Sequence, residues 1–202
     1  MIDWPMTQYF YLYNNPLLSI DIDSAHMVGW NPTVLYLYRM TNGNVTINTE
    51  NMVGWTNLEN ITFNDLPTLG GSLDTLHFAG WSNFRGINLY GVPSAFSVRV
   101  HTEDLIELPI QVLNLFDYDG RNTGIDTADL STKTLTYFRL YKLPMSVVTV
   151  NSVDMLRWNL SIFMLTNLEQ MTGTIDFADL AGQNLSSFGF ISCPLLTFIE
   201  DQ

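Results

Sequence analysis

Four aspartates, Asp104, Asp129, Asp154 and Asp179, recur at steps of 25 residues, and their spacing could carry chemistry. Carboxylates held side by side at that period repel by roughly 1 kcal/mol per pair in water. A bound Ca²⁺ would relieve the repulsion, but it takes six or more oxygen ligands. A structural role competes with this. Each Asp stands three residues after His101, Asp126, Asn151 or Asp176, where the start of a helical turn favours an anion. The structural role is the expectation, with no metal and no cofactor. The pairs Asp126/Asp129 and Asp176/Asp179 could also serve as acid and nucleophile of a glycosidase, although the same turn accounts for them. His26, His77 and His101 share no ligand spacing, and the chain holds no nucleophile elbow, phosphate loop or HExxH. No enzyme activity is expected.

Aromatic residues form a second recurring set. Tyr13, Tyr38, Asn64, Tyr90, Phe116, Tyr141, Thr166 and Ile191 fall at equivalent places, and Tyr11, Tyr36 and Arg139 sit two residues earlier in their own segments. Strands about 4.8 Å apart would stack these rings into a column roughly 30 Å long. Such a strip suits recognition of a protein surface or a glycan, while cross-strand stacking alone would also stabilise a sheet. The candidate binding residues are Tyr36, Tyr38, Tyr90, Phe116, Tyr141 and Arg139.

Both sets are positioned by one repeating unit. The pair Phe138/Leu140 recurs as Phe10/Leu12, Leu35/Leu37, Ile61/Phe63, Ile87/Leu89, Leu113/Leu115, Phe163/Leu165 and Phe188/Phe190, at steps of 25 or 26 residues. Regular spacing of this kind marks a solenoid. Residues two apart in a strand face the same way, so each pair can point into a core. Prolines in Asn15-Pro16, Leu66-Pro67, Val92-Pro93, Leu143-Pro144 and Cys193-Pro194 should end the strands, because proline cannot donate to the ladder. A second apolar column reads Ile20/Ile22, Val45/Ile47, Gly71/Leu73, Val98/Val100, Thr123/Ile125, Val148/Val150 and Gly173/Ile175. Asp23, Asn48, Asp74, His101, Asp126, Asn151 or Asp176 comes next, followed mostly by Ser or Thr, which predicts a capped α or 3₁₀ turn in every coil. Trp30, Trp55, Trp81 and Trp158 then close the core on that side, and Thr41–Asn44, Leu69–Gly71 and Asp119–Gly120 carry turn chemistry. Trp4, Met6 and Tyr9 would shield the first coil, and Leu196, Phe198 and Ile199 would form a last partial one.

LENITFNDLP, FRGINLYGVP, LTYFRLYKLP and LSSFGFISCP resemble the leucine-rich repeat family in their L-x-x-L-x-L spacing. The resemblance implies a repeat solenoid, mainly β with a short helical turn per coil, spanning residues 1–202 as one domain of about eight coils. A right-handed β-helix is the alternative. The family usually carries Asn or Cys three residues after the last strand leucine, bonding neighbouring backbones. Here Asn15, Met40, Leu66, Val92, Tyr118, Leu143, Leu168 and Cys193 occupy that place, so the asparagine ladder is mostly absent.

Composition narrows the partners. Eight basic and 20 acidic residues give a net charge of −12, which argues against nucleic acid. No apolar run reaches the roughly 18 residues of a membrane span, and the amino terminus lacks the pattern of a cleavable signal peptide. A soluble protein without membrane insertion is expected. The single Cys193 excludes an internal disulfide and leaves the compartment open. The expected function is a non-catalytic module that offers its strand face to a protein partner or to self-assembly, within a virion or surface layer. A glycan-binding module is the alternative, with a β-helix glycosidase behind it.

Overall fold

The computed structural model describes residues 8–13 and 21–199. Trp4, Met6, Asn15, Pro16 and Ile20 lie outside the described residues. The chain winds into a solenoid with two parallel sheets of eight strands each. Strands of the first sheet are Tyr9–Tyr13, Val34–Tyr38, Asn60–Asn64, Gly86–Tyr90, Val112–Phe116, Tyr137–Tyr141, Ile162–Thr166 and Ser187–Ile191. They stack in chain order, and equivalent residues pair directly: Phe10 with Leu35, Phe138 with Phe163, Leu140 with Leu165. Alternation along each strand sends the apolar pair inward, and from Leu35 to Leu165 these residues are fully buried. Such burial stabilises by about 1.5–3 kcal/mol per side chain.

Proline does not end these strands. The break comes earlier, at a corner residue in the left-handed region: Arg39, Asp65, Asp117, Lys142, Asn167 and Ser192 have φ between 49° and 55°. Each of the first five also extends the ladder by one bond, as Lys142 N–H does to the Thr166 carbonyl. Asp and Asn tolerate this conformation, whereas Arg39 and Lys142 adopt it while their N–H groups bond to the next coil.

Ile22–Asp23, Val45–Asn48, Leu69–Asp74, Ser97–His101, Asn122–Asp126, Val147–Asn151, Thr172–Asp176 and Leu196–Ile199 form the second sheet. Leu69–Gly71 therefore belongs to a strand, not to a turn. Pairing here is slipped by two residues against the repeat, so that Ile22 meets Val45 although its repeat equivalent is Ile47. A slip of two preserves the side-chain faces, which is why the apolar pattern survives it. Gly71 and Gly173 lie where this sheet packs its backbones most tightly. A Cβ on Gly173 would stand 1.9 Å from the Val150 carbonyl oxygen, at φ 135°.

Every second-sheet strand but the last leads into one 3₁₀ turn, from Ser24–Met27 to Phe177–Leu180. Only the aspartates cap it: the carboxylates of Asp23, Asp74, Asp126 and Asp176 accept the N–H two residues on, while Asn48, His101 and Asn151 make no such bond. Trp55, Trp81 and Trp158 are buried as expected, and Trp30 is half-buried.

Candidate functional site

Two surfaces hold the residues singled out from the sequence. In the 3₁₀ turns that follow the second sheet, the Asp column is tied to a column of buried hydroxyls. Thr75, Thr102, Thr127 and Ser152 each donate to the carboxylate of Asp104, Asp129, Asp154 or Asp179 one coil on, at 2.6–2.7 Å. The same hydroxyls accept the backbone N–H of His101, Asp126, Asn151 and Asp176. In the earlier coils Asn51 and His77 replace Asp, facing Ser24 and Thr49 at 3.2 Å and 3.0 Å. This ladder bonds each coil to the next along the solenoid. Met40, Leu66, Leu143 and Leu168, three residues after the second apolar residue of their strands, are core.

Asp126 and Asp129 thus both have structural partners. They border a shallow groove of about 450 Å³ with His101, Glu103 and Thr149. Arg99 braces the ladder one coil earlier, reaching Asp74 at 2.8 Å and Asp104 at 2.6 Å. Burial alone would raise the Asp74 carboxyl, but the Leu76 N–H and Arg99 outweigh it and hold it below its ordinary value.

The aromatic residues lie on the outward side of the first sheet. They do not make one continuous column. Tyr36 and Tyr38 join Tyr9, Tyr11 and Tyr13 in a first group, where Tyr13 and Tyr38 stack at 5.0 Å. Asn64 interrupts the row, and Tyr90, Phe116 and Tyr141 form a second group with centroids 4.7 and 5.8 Å apart. The six candidate residues are half-buried, because each ring covers the next. Burial pushes the Tyr36 and Tyr90 phenols up from their usual value.

Arg139 is built into the second group. Its Nε donates to Asn114 Oδ1 at 2.8 Å, its Nη2 to the Tyr90 hydroxyl at 3.0 Å, and the guanidinium lies 5.2 Å from the Phe116 ring centre. Asn114 in turn donates to Asn88 at 2.7 Å. The sequence reading missed Asn88 and Asn114, although amides at the same outward place in adjacent coils were a readable signal.

The outward positions of the first sheet are nearly free of charge. Across its eight strands they hold no Asp or Glu, and Arg139 is the one basic residue. Charge begins at the corner beside it, where Arg39 meets Asp65 at 3.2 Å and Lys142 meets Asp117 at 3.8 Å. Among the described residues no helix is long and apolar enough to cross a membrane.

Two parallel sheets wound in a repeating coil define the chain as a strand-rich solenoid. Comparison with protein-family models, with curated proteins and with solved structures finds no match.

Proposed function

We propose that the chain is a non-catalytic recognition or assembly module whose coil is leucine-rich-repeat-like, and that it offers the outward face of its first sheet to a protein partner. The observation that carries this reading is the absence of carboxylates from that face in a chain with 20 acidic residues. Tyr, Phe, Met164 and Arg139 surrounded by a charged corner match the composition of an interface centre and its rim. A glycan is served less well. Tyr13 and Tyr38, at 12° between planes, each spend one ring face on the other, which leaves less ring face for a sugar to stack on.

The test places charge on the face without removing packing. Thr62→Glu and Met164→Glu should leave the melting curve by circular dichroism nearly unchanged and abolish partner capture or self-assembly. Tyr90→Ser with Phe116→Ser and Tyr141→Ser should do the same at some loss of stability, since each stacked pair contributes about 0.5–1.5 kcal/mol. Sedimentation velocity separates self-assembly from capture of another protein. Folded Glu variants that bind and assemble as the wild type does would remove the strand face from consideration.

A further inference from the structure

Among the described residues four of the eight cations have no carboxylate within 4 Å. Arg85 and Arg157 are exposed, Lys133 donates to the Ile106 carbonyl, and only Arg139 lies on the outward face of the first sheet. Arg39, Arg99, Arg121 and Lys142 each lie within 4 Å of a carboxylate. Arg139 is half-buried on the sixth strand of the first sheet, and among the described residues its partners are an amide, a phenol and an aromatic ring. None of these neutralises it. A partly desolvated guanidinium without a counter-charge is costly, and in a chain this acidic a counter-ion would have been easy to place.

The arrangement also fixes the side chain. Asn114 is 2% exposed and is oriented by Asn88, so the acceptor for Nε cannot swing away. The Tyr90 hydroxyl, two coils back, holds Nη2, and Phe116 supports the plane. A guanidinium has five N–H donors, of which these contacts use two. The remaining donors include both on Nη1, in the planar fork that matches a carboxylate. Holding the fork in place before binding reduces the entropy lost on association.

We infer that Arg139 is the seat for a single carboxylate, an Asp or Glu side chain of a protein partner with neutral or apolar neighbours. The inference rests on the strand-face reading and names the chemistry of what that face receives. Tyr90, Phe116 and Tyr141 flank the fork and form the apolar contact around it. A run of acidic residues is not the ligand, because the net charge of −12 opposes it. One carboxylate is within reach of Arg139 alone, since screening at physiological salt acts over about 8 Å.

The test uses the whole chain with isotope-labelled arginine and follows the Arg139 Nε–H signal by NMR. The probes are a capped pentapeptide Gly-Leu-Glu-Leu-Gly, its Gln counterpart, and inorganic phosphate. The Glu peptide should move the signal saturably, and the Gln peptide should bind at least about tenfold more weakly, as loss of a charge-assisted pair requires. Binding, followed for the variants through backbone signals of the central strands, should be lost in Arg139→Met and weakened in Arg139→Lys, which keeps the charge without the fork. A melting curve confirms that both variants fold.

Equal binding of the Glu and Gln peptides, no movement at Arg139, or undiminished binding by Arg139→Met would overturn the inference. Phosphate binding tighter than the Glu peptide would overturn it in favour of a phosphorylated ligand. The strand-face reading is judged separately by Thr62→Glu, three strands away from Arg139, because Met164 pairs directly with Arg139 and a Glu there would engage it; either reading can then fail without the other.

Discussion

Thr127 donates its buried hydroxyl hydrogen to the carboxylate of Asp154, 27 residues on, at 2.7 Å. The same oxygen accepts the Asn151 N–H at 2.9 Å. One side chain therefore ties its own coil to the next by two bonds, and valine of the same shape could make neither. Thr127→Val should cost about 1–3 kcal/mol, the penalty for leaving buried polar groups without partners. Thr127→Ser keeps the hydroxyl and should cost well under half of that. Urea midpoints decide the matter: equal losses would mean that the ladder adds nothing beyond packing.

The caps divide by residue type. Asp126 accepts the Ala128 N–H at 3.0 Å, whereas the Asn151 side chain makes no bond to its turn and instead accepts the Thr174 N–H at 3.2 Å. Asp126→Ala should cost about 0.5–2 kcal/mol as a lost cap. Asn151→Ala tests a different bond, one between coils. Hydrogen exchange distinguishes them: Asp126→Ala should speed exchange at Ala128, and Asn151→Ala at Thr174. Unchanged exchange at both amides would show that neither side chain protects its partner.

The period, the inward apolar pairs and the outward aromatic set were legible because each follows from strand alternation and spacing. Phe138 and Leu140 point inward wherever the strand begins, since the pleat has a period of two. The corner at Arg39 and Lys142 was not legible, as neither residue type favours positive φ. Leu69–Gly71 misled for a related reason. A double glycine signals a turn locally, yet here Gly71 admits the Ile47 carbonyl, which would lie 2.2 Å from a Cβ. The aromatic group was recognised, but its division at Asn64 and the fixing of Arg139 by Asn114 depend on contacts between coils that no single repeat displays. Likewise the hydroxyl column was read as part of a cap, and its bonds proved to run to the next coil.

Gly173 and Gly182 offer a controlled pair. Both have positive φ, 135° and 97°, but only Gly173 faces a wall, with Val150 atoms inside normal contact distance of a Cβ. Gly182→Ala should carry the conformational cost alone, about 1–3 kcal/mol. Gly173→Ala should exceed it, because the strands must also separate. Comparable melting temperatures for the two variants would show that the second sheet yields freely at this point.

Phe138 and Tyr141 share a strand and lie on opposite faces. Phe138 is fully buried against Trp158 and Phe163, while Tyr141 is half-buried with Phe116 and Lys142 beside its ring. Phe138→Ala should cost about 3–5 kcal/mol. Tyr141→Ala should cost about 0.5–1.5 kcal/mol for the lost stack. Similar shifts in urea midpoint would mean that the outward face is as essential to the fold as the core, and that Tyr141 cannot be assigned mainly to binding.

Acid should reveal what Arg99 contributes. Asp74 is held below its ordinary carboxyl value of 3.8, with the Leu76 N–H and the Arg99 guanidinium outweighing burial. A group depressed on folding adds stability that is complete above its unfolded pKa and is lost as pH falls through the folded one. Arg99→Met removes the bonds to Asp74 and Asp104, so it should destabilise the chain near neutral pH. The gap between wild type and variant should then shrink on going from about pH 6 to about pH 3, as protonation of Asp74 removes what the arginine was stabilising. Urea midpoints at the two pH values measure it directly. A gap that stays constant would show that Arg99 acts through its aliphatic stem and not through its charge.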